Sequence, residues 1–206
     1  MNKKWMIPAL VLVLAAAACK QPGEQPDDHS QHNKSTAMAS SGYADSVNSG
    51  LIATDTLKGS PRRMAMANVG SCHVHMEYGS PGVKNRTIWG GLVAYGQVWA
   101  TGAHKATSIS FACDVEVGGQ KVPAGKYALF TIPDSASWTV IINKRWDQHL
   151  ADDYNAAEDV VRLQATPQAH ATTQRLSFAV KEIKNDAGEV IFSWEKVSFT
   201  LPFRVL

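Results

Sequence analysis

The sequence predicts an all-β fold, an antiparallel β-sandwich or partly open barrel with one short helix. Two observations carry this expectation. Runs rich in Val, Ile, Thr, Tyr, Phe and Trp alternate with polar residues through most of residues 59–206. Clusters of Gly, Pro, Asn and Asp separate those runs at short intervals, as in sandwiches and small barrels. A single stretch, Trp146–Ala157, reads as helical. Residues 59–206 are long enough to enclose one hydrophobic core and are expected to form one domain.

The elements follow in order. Arg63–Val69 alternates, and Gly70-Ser71 turns the chain into a second strand from Cys72 to Tyr78. Thr107–Val117 is strand-like, with a bend expected near Cys113-Asp114. Gly118-Gly119 makes a hairpin turn into Lys121-Val122. Pro123 and Gly125 precede a strand from Tyr127 to Ile132, and Pro133–Ser137 turns it into Trp138–Asn143. Asp159–Thr166 is a further strand, stopped by Pro167. Arg175–Ile183 runs to the turn Asn185–Gly188, and Val190–Val205 returns, with Pro202 predicting an edge or a bulge.

The first 58 residues are of a different kind. Lys3 and Lys4 precede an apolar run from Trp5 to Ala18, about 14 residues against the roughly 20 a membrane-spanning helix needs. Ala16-Ala17-Ala18 lies directly before Cys19, which resembles a bacterial lipobox. Residues 1–18 are therefore expected to be a lipoprotein signal peptide. Acyl chains on Cys19 would anchor the chain durably to a membrane. Lys20 after the cysteine resembles enterobacterial sorting to the outer membrane, so the expected location is the cell envelope. Residues 19–58 are rich in Gln, Pro, Ser, Asp, Asn and Gly and are expected to be a flexible tether. Within them, Asp27-Asp28-His29-Ser30-Gln31-His32 reads as solvated linker.

Charge narrows the partners. The 20 Lys and Arg less Lys3 and Lys4 leave 18 basic against 18 acidic residues. With no basic run or stripe, nucleic acid is not an expected partner. Cys72 and Cys113 both lie on apolar strand faces. Spacing alone does not bring their Cβ atoms together, so two buried thiols are expected, with a disulfide as the alternative.

Alternation places His73, His75 and Glu77 on one face of their strand and Cys72, Val74, Met76 and Tyr78 on the other. Two histidines at i and i+2 stand roughly 6.5–7 Å apart along a strand, within reach of one cation. His104, in a turn after Gly102-Ala103, and His149, just after the Trp138–Asn143 strand, are candidate third and fourth ligands. The expected cofactor is a divalent metal, zinc before copper, on His73, His75, His104 and His149. Were the site catalytic, metal-assisted hydrolysis with Glu77 as base is the expected class. The alternative is a glycan- or small-molecule-binding module in which Trp89, Trp99 and Trp146 stack on sugar rings. A third possibility is a structural envelope lipoprotein. His170 is expected in an exposed loop.

A resemblance adds to these readings. The stretches Tyr78-Gly79-Ser80-Pro81-Gly82-Val83, Asn85-Arg86-Thr87-Ile88-Trp89-Gly90-Gly91 and Val98-Trp99-Ala100-Thr101-Gly102-Ala103-His104 carry it, with Pro123-Ala124-Gly125-Lys126-Tyr127 and Trp138–Lys144. They resemble a family of bacterial exported proteins catalogued as domain of unknown function 2911. The resemblance implies a β-rich exported module, often lipid-anchored, and implies no activity. Many members carry Arg, Asn and Glu where this chain has Ala100, His104 and Lys105. The four histidines are not general to the family pattern, so a metal site would belong to one branch. Asn85 stands where Gly is usual, and Asn tolerates a left-handed backbone.

Overall fold

The computed structural model describes residues 42–206. The signal segment, Cys19 and the His29/His32 linker lie outside the described residues. Ten strands form in chain order: β1 (Arg62–Val69), β2 (Cys72–Gly79), β3 (Ser108–Phe111), β4 (Val115–Val117), β5 (Gln120–Val122), β6 (Gly125–Ile132), β7 (Trp138–Asn143), β8 (Asp159–Ala165), β9 (Gln168–Lys184) and β10 (Ala187–Val205). They make two antiparallel sheets, β1-β2-β3-β6-β7-β8 and β5-β4-β10-β9. The sheets face one another as a sandwich rather than closing into a barrel.

The bend expected at Cys113-Asp114 is where the chain crosses between sheets, since β3 lies in the six-stranded sheet and β4 in the four-stranded one. The irregularity expected at Pro202 lies elsewhere. The β9–β10 register shifts on either side of Glu195, whose φ is 54°. Pro202 falls after Ser198, the last β9 partner, and before Phe203, the first β4 partner. Its missing N–H therefore breaks neither ladder.

Apolar side chains from both inner faces fill the core. An aromatic nest lies at its centre: Trp138 and Trp194 are buried with Phe192 and Phe199, and Trp89 and Trp99 pack against them. Cys72 and Cys113 form a disulfide with Cα atoms 5.5 Å apart. This corrects the expected pair of free thiols. Cys72 opens β2 and Cys113 follows β3, and the β2–β3 register, with Val74 aligned to Phe111, brings them together.

Two further expectations are corrected. Residues 146–157 form turns that end in a 3-10 turn, Ala156–Glu158, instead of a helix. Local side chains take the backbone partners a helix would need. Gln148 Nε2 donates to the Arg145 carbonyl, its Oε1 accepts from Asp153 N–H, and Asn155 Oδ1 accepts from Ala157 N–H.

The second correction concerns residues 42–58, placed in the tether by composition. Residues 42–48 are helical, and Ala44 and Val47 are buried. Asn48 brackets the Arg175 backbone, accepting from its N–H and donating to its carbonyl. Asp55 pairs with the buried Arg175 guanidinium at 2.9 Å. A Cβ at position 82 would lie 2.5 Å from Asp55 Oδ2, so Gly82 makes room for this carboxylate. Among the described residues no helix is long and apolar enough to cross a membrane.

Candidate functional site

The register of four strands builds the outer face of the six-stranded sheet. Met66, His75, Ser110 and Lys126 align across β1, β2, β3 and β6. The neighbouring row aligns Met64, Glu77 and Ser108, and Asn68 aligns with His73. The burial of β2 alternates as expected, with Cys72, Val74, Met76 and Tyr78 inside. His73 is exposed, and His75 and Glu77 are half-buried on the outside.

His73 and His75 have ring centroids 6.3 Å apart. With metal–nitrogen bonds of about 2.0–2.1 Å, two imidazoles on one ion have centroids roughly 5–6.5 Å apart. At 6.3 Å the pair sits at the wide end of that range, so closing on one ion takes a small side-chain rotation. His73 Nδ1–H donates to Asn68 Oδ1 at 2.8 Å. That bond selects the tautomer with a free Nε2 lone pair, the usual way an outer partner prepares a histidine ligand.

Glu77 is held differently. Its Oε2 accepts from Arg62 Nη2 at 2.7 Å and Lys126 Nζ at 2.8 Å, while Oε1 lies 3.9 Å from His75 Nε2. Lys126 Nζ also stands 4.3 Å above the Trp146 ring, a cation–π contact. Burial pushes the Glu77 carboxyl up, but the Lys126 hydrogen bond and the Arg62 charge outweigh it and hold the group below the usual carboxylate range. A base held that low and bonded to two cations accepts a proton poorly. The arrangement suits a fixed negative charge.

A cleft of about 120 Å³ opens beside Glu77, lined also by Arg62, His104, Lys105, Lys126, Trp146 and Asp147. Close backbone approach forms its rim. A Cβ on Gly79 would overlap the Ala103 carbonyl, so glycine at the end of β2 lets the His104 loop close over the strand. His104 takes a φ of 67° there. The loops of His104 and His149 are joined through backbone: Leu150 N–H donates to the His104 carbonyl, and Lys105 bridges to His149. Lys105 Nζ reaches Asp147 at 3.0 Å.

The four histidines therefore fall into two sets. His73 and His75 share one strand face, and His104 lines the cleft rim. His149 is turned to Asp152, with Nδ1 2.8 Å from Oδ2, and its side chain is 66% exposed. Among the described residues no group of three or more His, Cys, Asp or Glu is arranged to hold a metal ion. The expected convergence of His73, His75, His104 and His149 is not assembled, because backbone pairing, not side-chain convergence, joins the last two. His170 is exposed, as expected, but on β9 instead of in a loop.

Nor do the three tryptophans form one platform. Trp89 and Trp99 meet edge to face at 76° inside the aromatic nest, while Trp146 lies at the separate cleft under Lys126. Lys126 and Arg62, the partners of Glu77, are not marked by any catalytic or ligand motif in the sequence. Strand parity carries the signal for Lys126, which shares a row with His75 once β3 is placed between them.

Residues 60–203 match the family model described as protein of unknown function (DUF2911), and the chain belongs to that family. No curated protein and no solved structure matches the chain.

Proposed function

We propose, starting from membership of a family with no assigned activity, that this chain is an exported, lipid-anchored envelope protein that binds a transition-metal ion on the outer face of β2. The single observation that carries the reading is the His73–His75 pair at 6.3 Å, with His73 oriented by Asn68. Export is supported by the Cys72–Cys113 disulfide, since such bonds persist in oxidising compartments, and by the lipobox-like run before Cys19. Binding is proposed in place of hydrolysis, because the charge clamp on Glu77 disfavours a general base beside the ion. His104 and His149 are left out of the ligand set.

Elemental analysis of the full chain tests this, beside a His73→Ala/His75→Ala variant. Zinc or copper near one equivalent is expected in the parent chain and a loss of it in the variant. Equal metal content in the two would overturn the proposal. Both histidines lie on the outer face, so the variant is expected to keep its fold, checked by circular dichroism.

A further inference from the structure

We propose that the ion is cuprous copper and that methionine thioethers, Met66 with Met64 beside it, complete the site begun by His73 and His75. This rests on the metal-binding reading above and names the metal and the missing ligands. Two nitrogens do not make a site, and among the described residues no His, Cys, Asp or Glu supplies the third ligand. The nearest carboxylate, Glu77, already has Arg62 and Lys126 on Oε2.

The methionines of β1 fill that gap. Met64 and Met66 are 54% and 50% exposed, while Arg63 on the same strand is buried. Half-exposed methionines on a sheet face leave their thioethers accessible from solvent. Met66 is aligned with His75, and Met64 with Glu77. Residues aligned across an antiparallel pair have Cβ atoms about 4.5–5.5 Å apart, and diagonal neighbours about 7–8 Å. Met66 is therefore the direct neighbour of His75 and a diagonal neighbour of His73, and Met64 is diagonal to His75. Three rotatable bonds let a methionine thioether swing across the outer face toward the neighbouring imidazoles.

Ligand softness selects the metal. Zinc takes thiolate, imidazole and carboxylate, and thioether is not among its usual protein ligands. Soft sulfur together with imidazole favours copper(I). With its Oε2 already held by two cations, the Glu77 carboxylate is a weakened ligand for a harder ion. Histidines alone would favour zinc; thioethers beside them favour copper(I).

The test uses the full chain titrated anaerobically with copper(I), kept reduced by ascorbate, against a chromophoric copper(I) chelator. Zinc(II) is titrated separately against a zinc dye. Three proteins are compared: the parent, Met64→Leu/Met66→Leu and His73→Ala/His75→Ala. Leucine keeps the apolar volume, so fold and surface are retained. Losing a direct ligand is expected to weaken copper(I) by at least the roughly tenfold that outer-shell changes cost, with zinc unmoved. The histidine variant is expected to lose copper(I) altogether. Parent-like copper(I) affinity in the methionine variant would overturn the copper assignment while leaving the histidine site standing. Failure of the parent to bind either ion would overturn both.

Discussion

Asp55→Ala removes the one charged partner that a fully buried guanidinium has among the described residues, and its cost follows from the geometry around Arg175. The Arg175 side chain is 0% exposed and that of Asp55 is 8%. Nη1 donates to the carbonyls of Gly59 and Ser80 at 3.0 and 3.1 Å, and Nη2 to Asp55 Oδ1 at 2.9 Å and to the Leu57 carbonyl. Alanine at position 55 leaves a buried cation facing neutral dipoles. Breaking a buried pair on one side typically costs about 3–5 kcal/mol. The carbonyls that remain around the guanidinium place the estimate near the lower end, about 3 kcal/mol. In a chain of this size each kcal/mol moves Tm by roughly 2–4 °C, so a drop of roughly 6–12 °C is expected. Urea unfolding monitored by tryptophan fluorescence reads the free energy, and a thermal melt reads Tm. Asp55→Asn, which keeps an acceptor oxygen, is expected to lose less. A loss for Asp55→Ala below about 1 kcal/mol, the scale of a surface pair, would refute the docking of residues 42–58.

Further outcomes follow from the same structure. The double variant Cys72→Ala/Cys113→Ala opens a loop of sequence separation 41, and loop-closure entropy predicts a loss of roughly 4 kcal/mol in urea unfolding. Thiol titration of the denatured, unreduced parent should find neither Cys72 nor Cys113 free. Glu77 has a folded pKa below its ordinary value, so its contribution is present above the unfolded pKa and is lost as pH falls through the folded one. Glu77→Gln is expected to flatten the acid limb of the stability–pH curve; an unchanged limb would show that the Arg62 and Lys126 contacts do not hold in solution. Tyr154 is pushed up to about 12 by burial and by its hydrogen bond to Asp159. Its contribution is present below pH 10 and is lost as pH rises through 12, so Tyr154→Phe should flatten the alkaline limb.

Much of the fold was legible because alternation and turn chemistry are local. The β2 burial pattern, the Gly118-Gly119 hairpin and the bend near Cys113 followed from residue order, while the crossing between sheets at that bend did not. Asn85 occupies the left-handed region, φ 55°, that its place in the family pattern implied. What failed was non-local. The disulfide depended on the β2–β3 register, and residues 42–58 looked like linker because their anchors are two Asp, an Asn and two small apolar residues. Hydropathy would have turned Met64 and Met66 inward on β1. Instead Arg63 is the buried residue, paired with Asp45 and lying 5.8 Å from the Tyr78 ring centre, and the methionines face out beside His75. The histidine pair was readable from spacing alone, whereas its neighbours across the strands were not.

The most direct test of the proposed site is imidazole nitrogen NMR of the full chain during titration with copper(I). The account predicts that His73 and His75 shift together at one equivalent while His104 and His149 keep their resonances. Shifts confined to His104 and His149, or spread over all four, would contradict it.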